Sequence, residues 1–325
     1  MAPPPKRHHF LPQFYLGYFT NSKNLLWEFD RETKLYDQKT PRGSAWERHY
    51  YRYKGKDGEN HTDIECGLFN HIETGAKPVI DKIDTGKSIS EEEMGVVSLF
   101  VAFQHTRVPD FEKLSSSLSE AMIKALTKRQ FSSVEATKKI IEEMDNAGID
   151  PDNKTSPREV FDFVQEGDYT VTTGHEDFIG TMLSVGMKIA EHIQQMEWKY
   201  LFAPNGSSFI TSDSPLFFIP PKDYAKKHPF EGVGIATPGV VKIIPLTPRV
   251  CLSIGDTGTK VSSRVIEKKQ VRAINRLVAS NSDRFVYAKD KPLLERIVED
   301  RNLDERRKKQ VIVTSDQYND HKPTK

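Results

Sequence analysis

The sequence contains little cysteine and no marked excess of charge of either sign. Cys66 and Cys251 are its two cysteines, and neither belongs to a close pair of the kind that binds zinc or exchanges a disulfide. The formal net charge is +1 at pH 7, so the whole chain has no general attraction for nucleic acid or an acidic membrane. We therefore expect a reducing compartment and only local binding of polyanions.

Long apolar runs are also missing. No window approaches the roughly 20 apolar residues that span a bilayer. The opening Met1-Ala2-Pro3-Pro4-Pro5 is proline-rich, and the basic residues after it are not followed by the apolar run of a secretory signal. We expect a cytoplasmic protein with no membrane partner.

The composition predicts an α+β fold. With 325 residues, 37% hydrophobic and 29% charged, the chain can form one large or two ordinary soluble domains. An N-terminal arm and hairpin over 1–62 precede a helical region over 63–198. A β-rich region with helices follows over 199–303, then a mobile polar tail over 304–325. We expect one compact unit with the arm folded onto the helices.

Local signals predict the individual elements. Ser90 followed by three glutamates marks a helix start, and this helix stops before Pro109. Thr62 or Asp63 is the expected cap of a helix over 63–84. The other predicted helices are 111–126, 133–147, 156–166, 176–197, 267–280 and 292–301. The predicted strands are 25–29 and 35–38, which form a hairpin, and 199–202, 208–211, 216–219, 240–244, 250–254 and 284–288, which form a mixed or antiparallel sheet.

Two adjacent histidines, His8 and His9, precede the first apolar segment. Histidine has the side-chain pKa nearest neutrality, so the pair suggests proton transfer, metal ligation or anion binding. The alternative is a solvent-facing pair in a basic N-terminal arm. The pattern leaves both possibilities open, and it does not indicate which histidine faces inward.

Two pairs of polar residues lie on the predicted helices. Glu65 and Glu73 are eight positions apart, which places them two turns apart and about 80° apart around a regular helix. Gln104 and Arg107 share one face at the end of an apolar helix, where partial burial is expected. A buried arginine keeps its charge and needs a carboxylate or an anion. The glutamates could equally form a solvated face or an ion pair with Arg107.

Asp213 lies where a predicted strand ends. The sequence Ser212-Asp213-Ser214-Pro215 breaks the strand at 208–211 and puts a carboxylate on a rigid support, where catalytic groups often lie. The same four residues also form a favourable turn, in which Asp or Ser side chains bond nearby backbone. Both interpretations stay open.

Three motifs carry a family resemblance: His8-His9-x-x-Pro12-x-x-Tyr15-Leu16, Gln104-x-x-Arg107-x-Pro109 and Thr211-Ser212-Asp213-x-Pro215. Together with shorter pieces at 25–30, 50–53, 63–65, 71–73, 245–248 and 275, the motifs resemble a widespread, mostly bacterial family of uncharacterised proteins, a domain of unknown function. The resemblance implies no activity. It does select Asp213 together with His8, Glu73, Gln104 and Arg107 as candidate site residues.

These residues suggest a hydrolase that acts on a phosphodiester in nucleic acid or a nucleotide. His8 or His9 would act as general acid or base, and Arg107 would stabilise charge on the phosphoryl oxygens. Glu73 and Asp213 would orient the histidine or bind a divalent metal such as Mg²⁺ or Mn²⁺.

A non-catalytic binding or regulatory protein is the alternative. In that case the charged groups form a buried ion-pair network, which perturbs pKa values without catalysis. The chain contains no Walker loop, His-Glu-x-x-His helix, Gly-x-Ser-x-Gly elbow or kinase signature. Convergence in an open cleft with an unpaired histidine favours the enzyme, and mutual pairing of the charges in a closed core favours the network.

Overall fold

A computed structural model describes residues 6–55, 58–149, 155–227, 232–258 and 260–299. Their contacts divide the chain into two compact units. Among the described residues, the larger unit contains those up to Glu112 and those from His175 to Glu299, and the inserted unit contains those between Lys113 and Gly174. Helices and strands both contribute, which confirms the α+β class. The predicted mobile tail at 304–325 and residues 300–301 of the last predicted helix lie outside the described residues.

Capping residues fix where several helices begin. Ser90 Oγ accepts a hydrogen bond from the Glu93 N–H at 3.2 Å, and Glu93 Oε2 accepts one from the Ser90 N–H at 2.7 Å. This reciprocal capping box confirms the predicted start. The helices are α1 Gln13–Tyr18, α2 Asn70–Asp84, α3 Glu91–Thr106, α4 Pro109–Gln130, α5 Val134–Asn146, α6 Pro157–Glu166, α7 His175–Gln194, α8 Tyr224–Lys227, α9 Lys268–Asn281 and α10 Lys291–Glu299.

The strands form two larger sheets and two short ribbons. They are β1 Arg7–His9, β2 Leu26–Asp30, β3 Tyr36–Lys39, β4 Trp46–Arg48, β5 Tyr53–Lys54, β6 Asn60–His61, β7 Met196–Phe202, β8 Thr211–Ser212, β9 Phe217–Ile219, β10 Val241–Pro245, β11 Val250–Thr257, β12 Val261–Val265 and β13 Phe285–Ala288. The five-stranded sheet has the order β12-β7-β11-β10-β9 and is antiparallel except where β12 runs parallel to β7. The four-stranded sheet, β3-β2-β13-β8, is antiparallel and contains the predicted hairpin.

A π-helical turn precedes α2. It covers Ile64–Phe69, and Asp63 makes no side-chain capping bond at its start. The predicted cap at Thr62 or Asp63 is therefore wrong for Asp63, and a single regular helix over 63–84 is wrong as well. Each π turn contains more residues than an α turn and so rotates later side chains relative to earlier ones. The expected angle between Glu65 and Glu73 does not apply here.

The helices α3 and α7 pack closely within the larger unit. A Cβ atom at Gly186 would lie 2.6 Å from Phe103 Cε1 and 3.0 Å from Thr106 Oγ1. Glycine is therefore required for this approach, because contacts that short do not occur between carbon atoms. Phe103, Val97 and Val101 of α3 are fully or almost fully buried in the apolar core of this unit.

The inserted unit contains most of α4 together with α5 and α6. Gln165 Nε2 donates a hydrogen bond to the Phe131 carbonyl at 2.7 Å, which ties α6 to the end of α4. Lys124 Nζ lies 5.0 Å from the centroid of the Tyr169 ring. Within the described ranges of the whole chain, every helix is too short or too polar to traverse a bilayer.

Candidate functional site

The ribbon of β1 and β4 positions the two histidines. Arg7–His9 pairs in antiparallel register with Trp46–Arg48, so His8 lies opposite Glu47. Successive side chains of a strand point to opposite faces. His8 is accordingly fully buried, and His9 is only partly buried. The inward-facing histidine, which the sequence did not identify, is His8.

The buried ring of His8 has a defined tautomer when it is neutral. Its Nδ1 accepts a hydrogen bond from the Tyr51 N–H at 2.8 Å, so the hydrogen is on Nε2. Nε2 lies 3.5 Å from Glu65 Oε2. The ring also stacks on Tyr51, with centroids 5.8 Å apart and planes inclined by 15°. His8 is thus held between the Tyr51 backbone and the Glu65 carboxyl group.

Glu65 lies on the π-helical turn. Its Oε1 accepts a hydrogen bond from the His9 backbone N–H at 3.1 Å, and its side chain is 19% exposed. Burial raises the pKa of Glu65 to about 7, while the His9 N–H acts in the opposite direction. Glu65 can therefore carry or release a proton near neutral pH. π-helical turns often occur at functional sites.

Arg107 directly follows α3 and is almost completely buried. Its Nη1 donates to Glu73 Oε1 at 2.9 Å, and its guanidinium lies 4.8 Å from the centroid of the Phe69 ring. Its carbonyl accepts a hydrogen bond from Tyr51 Oη at 3.2 Å. Nε and Nη2 are buried and make no hydrogen bond with any part of the chain that the structure describes. These two atoms form one edge of the guanidinium, the edge that binds a carboxylate or phosphate with two parallel bonds.

His9 is near this guanidinium as well. Its Nε2 lies 3.2 Å from the Arg42 carbonyl, and its Nδ1 lies 3.5 Å from Gln13 Nε2. Partial burial is the largest influence that lowers the pKa of His9; the positive charge of Arg107 adds to it, and the Arg42 carbonyl opposes it. The ring is therefore neutral at pH 7. With its hydrogen on Nε2, its Nδ1 is a proton acceptor.

His8, His9, Glu65, Glu73 and Arg107 together form what we call the His–Glu–Arg cluster. The predicted residues His8, His9, Glu73 and Arg107 belong to it. Glu65 was noted in the sequence but was not counted among the candidate site residues, and the structure adds it. Its spacing from Glu73 does not identify it, because the π-helical turn changes the angle between the two side chains.

Gln104 lies one turn before Arg107 on α3 and is also buried. Its Oε1 makes no hydrogen bond within the described ranges. Gln104 is thus close to Arg107 in the sequence, but no hydrogen bond among the described residues joins Gln104 to the cluster.

Asp213 has different partners. Its Oδ1 accepts from the Asp283 N–H at 2.8 Å, and its Oδ2 accepts from the N–H groups of Arg284 at 2.6 Å and Phe285 at 2.7 Å. Burial raises the pKa of Asp213 to about 7, and these backbone donors pull it down. The carboxyl group holds the turn that leads into β13. No contact among the described residues joins it to the His–Glu–Arg cluster.

The predicted metal site used Glu73 and Asp213 together. In the part of the chain that the structure describes, no three His, Cys, Asp or Glu side chains are grouped so that they could hold a metal ion. Both oxygens of Asp213 already accept backbone hydrogen bonds. The geometry therefore gives no support to a shared Mg²⁺ or Mn²⁺ site at these two residues.

Comparison with known proteins identifies the family. Residues 7–292 match the family described as Protein of unknown function (DUF4238). No curated protein and no solved structure matches the chain. The matched region contains the whole His–Glu–Arg cluster and Asp213. This chain therefore belongs to the DUF4238 family, which confirms the resemblance to a domain of unknown function.

Proposed function

We propose that this protein is a hydrolase that acts on a phosphodiester at the His–Glu–Arg cluster. The observation that carries the proposal is the guanidinium edge of Arg107, whose buried Nε and Nη2 make no hydrogen bond within the described residues. A phosphodiester presents two non-bridging oxygens that share one negative charge. Two parallel N–H groups match that pair of oxygens in spacing and in charge.

Two groups that could transfer protons, Glu65 and His9, are close enough to Arg107 for its charge to influence their pKa values. Glu65 is partly protonated near pH 7, and neutral His9 has an acceptor at Nδ1. Water attacks phosphorus and gives its proton to His9, while the bond from phosphorus to the leaving oxygen breaks. Glu65 supplies a proton to that leaving oxygen. Burial raises the pKa of the proton donor, Glu65, to about 7 and lowers the pKa of the proton acceptor, His9; environments that shift two titratable groups in opposite directions are typical of acid–base pairs.

His8 has a positioning role in this proposal. It is fully buried, and the Tyr51 N–H fixes its hydrogen on Nε2, facing Glu65. This contact orients the Glu65 carboxyl group and does not reach the substrate. The side chains of Glu65 and Glu73 are 19% and 26% exposed, so the cluster is not completely closed to solvent.

A second candidate function rests on the pairing between Arg107 and Glu73. The guanidinium is only 2% exposed and already bonds a carboxylate at 2.9 Å. An ion pair of this kind costs a great deal to break, because one buried charge is left alone. This observation favours a non-catalytic binding or regulatory protein in which the cluster is structural.

Cleavage assays with matched variants separate the two functions. We would compare wild type with Arg107→Lys, which keeps the charge but removes the two-atom edge, and with Glu65→Gln, which keeps the size but cannot transfer a proton. Arg158→Gln, at an exposed residue, is the control. The substrates are RNA, single- and double-stranded DNA and nucleotides, each with and without Mg²⁺ or Mn²⁺. Thermal midpoints show whether each variant is folded.

The hydrolase predicts cleavage by wild type and by Arg158→Gln, with a loss of at least about 100-fold in both cluster variants while their thermal midpoints show that both are folded. Cleavage that persists in folded Arg107→Lys would overturn the role of the guanidinium edge. Absence of cleavage by wild type, with a large fall in the midpoint of Arg107→Lys, would support the structural network. As part of the same proposal, the protein binds a nucleic acid or a nucleotide and is located in the cytoplasm.

A further inference from the structure

The helix α4 exposes an unusual number of large apolar side chains. Between 40% and 65% of the surface of each is accessible. They occur within 13 residues of one helix, whereas exposed apolar residues are normally scattered singly. Contiguous patches of this kind mark interaction sites. We call these residues the α4 face: Leu114, Leu118, Met122, Ile123 and Leu126.

The α4 face lies on the side of the helix that the inserted unit leaves uncovered. Lys124, which contacts the ring of Tyr169, is on the side of α4 that packs inside this unit. Met122 and Leu126 are each about 160° away from Lys124 around the helix, one on each side of the opposite direction, and Leu118 is about 120° away. The exposed apolar side chains therefore lie on one side of α4, away from the side that packs inside the inserted unit.

The shape of the α4 face is complementary to a second copy of itself. Leu114, Leu118, Met122 and Leu126 repeat every four residues, so they form a continuous ridge. The neighbouring row on one side consists of small residues, and so does most of the row on the other side. A ridge of large side chains beside grooves of small ones can receive an identical helix, because each ridge fits a groove of the other. The small residues are Ser117, Ala121 and Ala125 on one side and Ser115 and Ser119 on the other.

The charges of α4 favour an antiparallel arrangement. Its first turn carries Asp110 and Glu112, and its last turn carries Lys128 and Arg129. Antiparallel helices bring the acidic end of each copy towards the basic end of the other and also align their dipoles favourably. A parallel pair would place like charges together. Antiparallel pairing of one surface with itself is a two-fold symmetric contact, the commonest kind in homo-oligomers.

We propose that the α4 face is a dimer interface, occupied by α4 of a second copy of this chain in antiparallel orientation. Covering five side chains of this size in each copy buries roughly 1,000 Å² in total, near the lower limit of specific interfaces. The dimer is therefore reversible and depends on protein concentration. This inference is independent of the hydrolase proposal.

Sedimentation velocity on the full chain tests the interface. We expect wild type to change from monomer to dimer between about 1 and 100 µM, the concentration range in which a weak, reversible dimer dissociates. The double variant Leu118→Glu and Met122→Glu should stay monomeric throughout that range. The matched control, Leu35→Glu and Val265→Glu, changes residues that are 66% and 69% exposed outside α4 and should dimerise like wild type.

Two results would overturn the proposal. One is that wild type stays monomeric from about 1 to 100 µM, and the other is that the Leu118→Glu and Met122→Glu double variant still dimerises. A variant truncated after residue 303 tests whether another occupant, the apolar segment Val311-Ile312-Val313 of the same chain, covers the α4 face instead. If only the shortened chain dimerises, that segment covers the face and the dimer proposal fails.

Cross-linking tests the orientation. In a Cys66→Ser background, Leu114→Cys and Leu126→Cys are prepared as separate proteins and mixed. An antiparallel pair gives disulfide dimers that contain one copy of each protein, because position 114 faces position 126. Efficient cross-linking of Leu114→Cys alone would overturn the antiparallel arrangement.

Discussion

His175 and Glu112 are joined by a hydrogen bond of 3.1 Å between Nδ1 and Oε1. These are the two residues at which the chain leaves the larger unit and returns to it. The other ring nitrogen of His175, Nε2, lies 2.6 Å from the Tyr50 carbonyl. A carbonyl and a carboxylate can only accept, so both ring nitrogens must carry hydrogen. The geometry therefore favours the positively charged form of His175.

This pair makes the stability of the larger unit depend on pH. The Glu112 hydrogen bond raises the pKa of His175 above its ordinary value of 6.5, and partial burial opposes it. A raised pKa adds stability that is complete below the unfolded-state pKa and is lost as pH rises through the folded-state pKa. We predict that the thermal midpoint of wild type exceeds that of His175→Gln at pH 5.5. The difference should shrink as pH rises to 9, as measured by scanning fluorimetry.

Glu112→Gln provides the control for this prediction. It keeps a hydrogen-bond acceptor but removes the charge, so its midpoint should vary less with pH than that of wild type. A difference between wild type and His175→Gln that is constant from pH 5.5 to 9 would show that His175 does not titrate in this range.

The parts of the fold that sequence could predict are those with local signals. The capping box at Ser90 and Glu93 needs only residues three positions apart, and the structure contains it. The hairpin of β2 and β3 likewise joins neighbouring segments. Each of these elements is determined by side chains within a few positions of its ends.

The ribbon that positions His8 could not be predicted in this way. Its strands are three residues long, and α1 and the hairpin of β2 and β3 lie between them in the sequence. The position of Glu65 was missed for a related reason, since the π-helical turn changes the helical angle. Asp213 has partners 70 to 72 positions away. Contacts at that separation leave no periodic pattern in the sequence.

The close packing of α3 on α7 leads to a prediction with an internal control. Gly186→Ala would place a Cβ 2.6 Å from Phe103 Cε1, and we expect a loss of about 1–3 kcal/mol in the free energy of unfolding. Gly180→Ala on the same helix meets nothing within 4 Å and should gain about 0.5–1 kcal/mol, because alanine favours helix over glycine. Urea unfolding measures both. Equal effects of the two substitutions would contradict the close approach.

Asp213→Asn should destabilise the protein. The amide replaces one carboxylate oxygen by a donor, so at least one of the three backbone N–H groups that Asp213 binds loses its acceptor. We expect a loss of about 2–4 kcal/mol in urea unfolding. Asp162→Asn, at a partly exposed residue, is the control and should change stability by less than about 0.5 kcal/mol. A folded Asp213→Asn protein of unchanged stability that lost cleavage would instead support the predicted catalytic role.

Glu65 provides the last prediction, because its pKa is raised from an ordinary value of 4.5 to about 7 by burial. The folded state therefore favours the protonated carboxyl, and this contribution to stability is complete below about pH 4.5 and is lost progressively as pH rises from 4.5 to about 7. Glu65→Gln mimics the protonated form at every pH. At pH 8 we expect it to exceed wild type by about 1–3 kcal/mol in the free energy of unfolding, and at pH 4 the two should be nearly equal. Glu93→Gln, whose wild-type carboxyl has a lowered pKa, should show no such gain at pH 8. A Glu65→Gln protein less stable than wild type at pH 8 would mean that the ionised carboxylate is stabilised in the fold, and Glu65 could then not supply a proton at neutral pH.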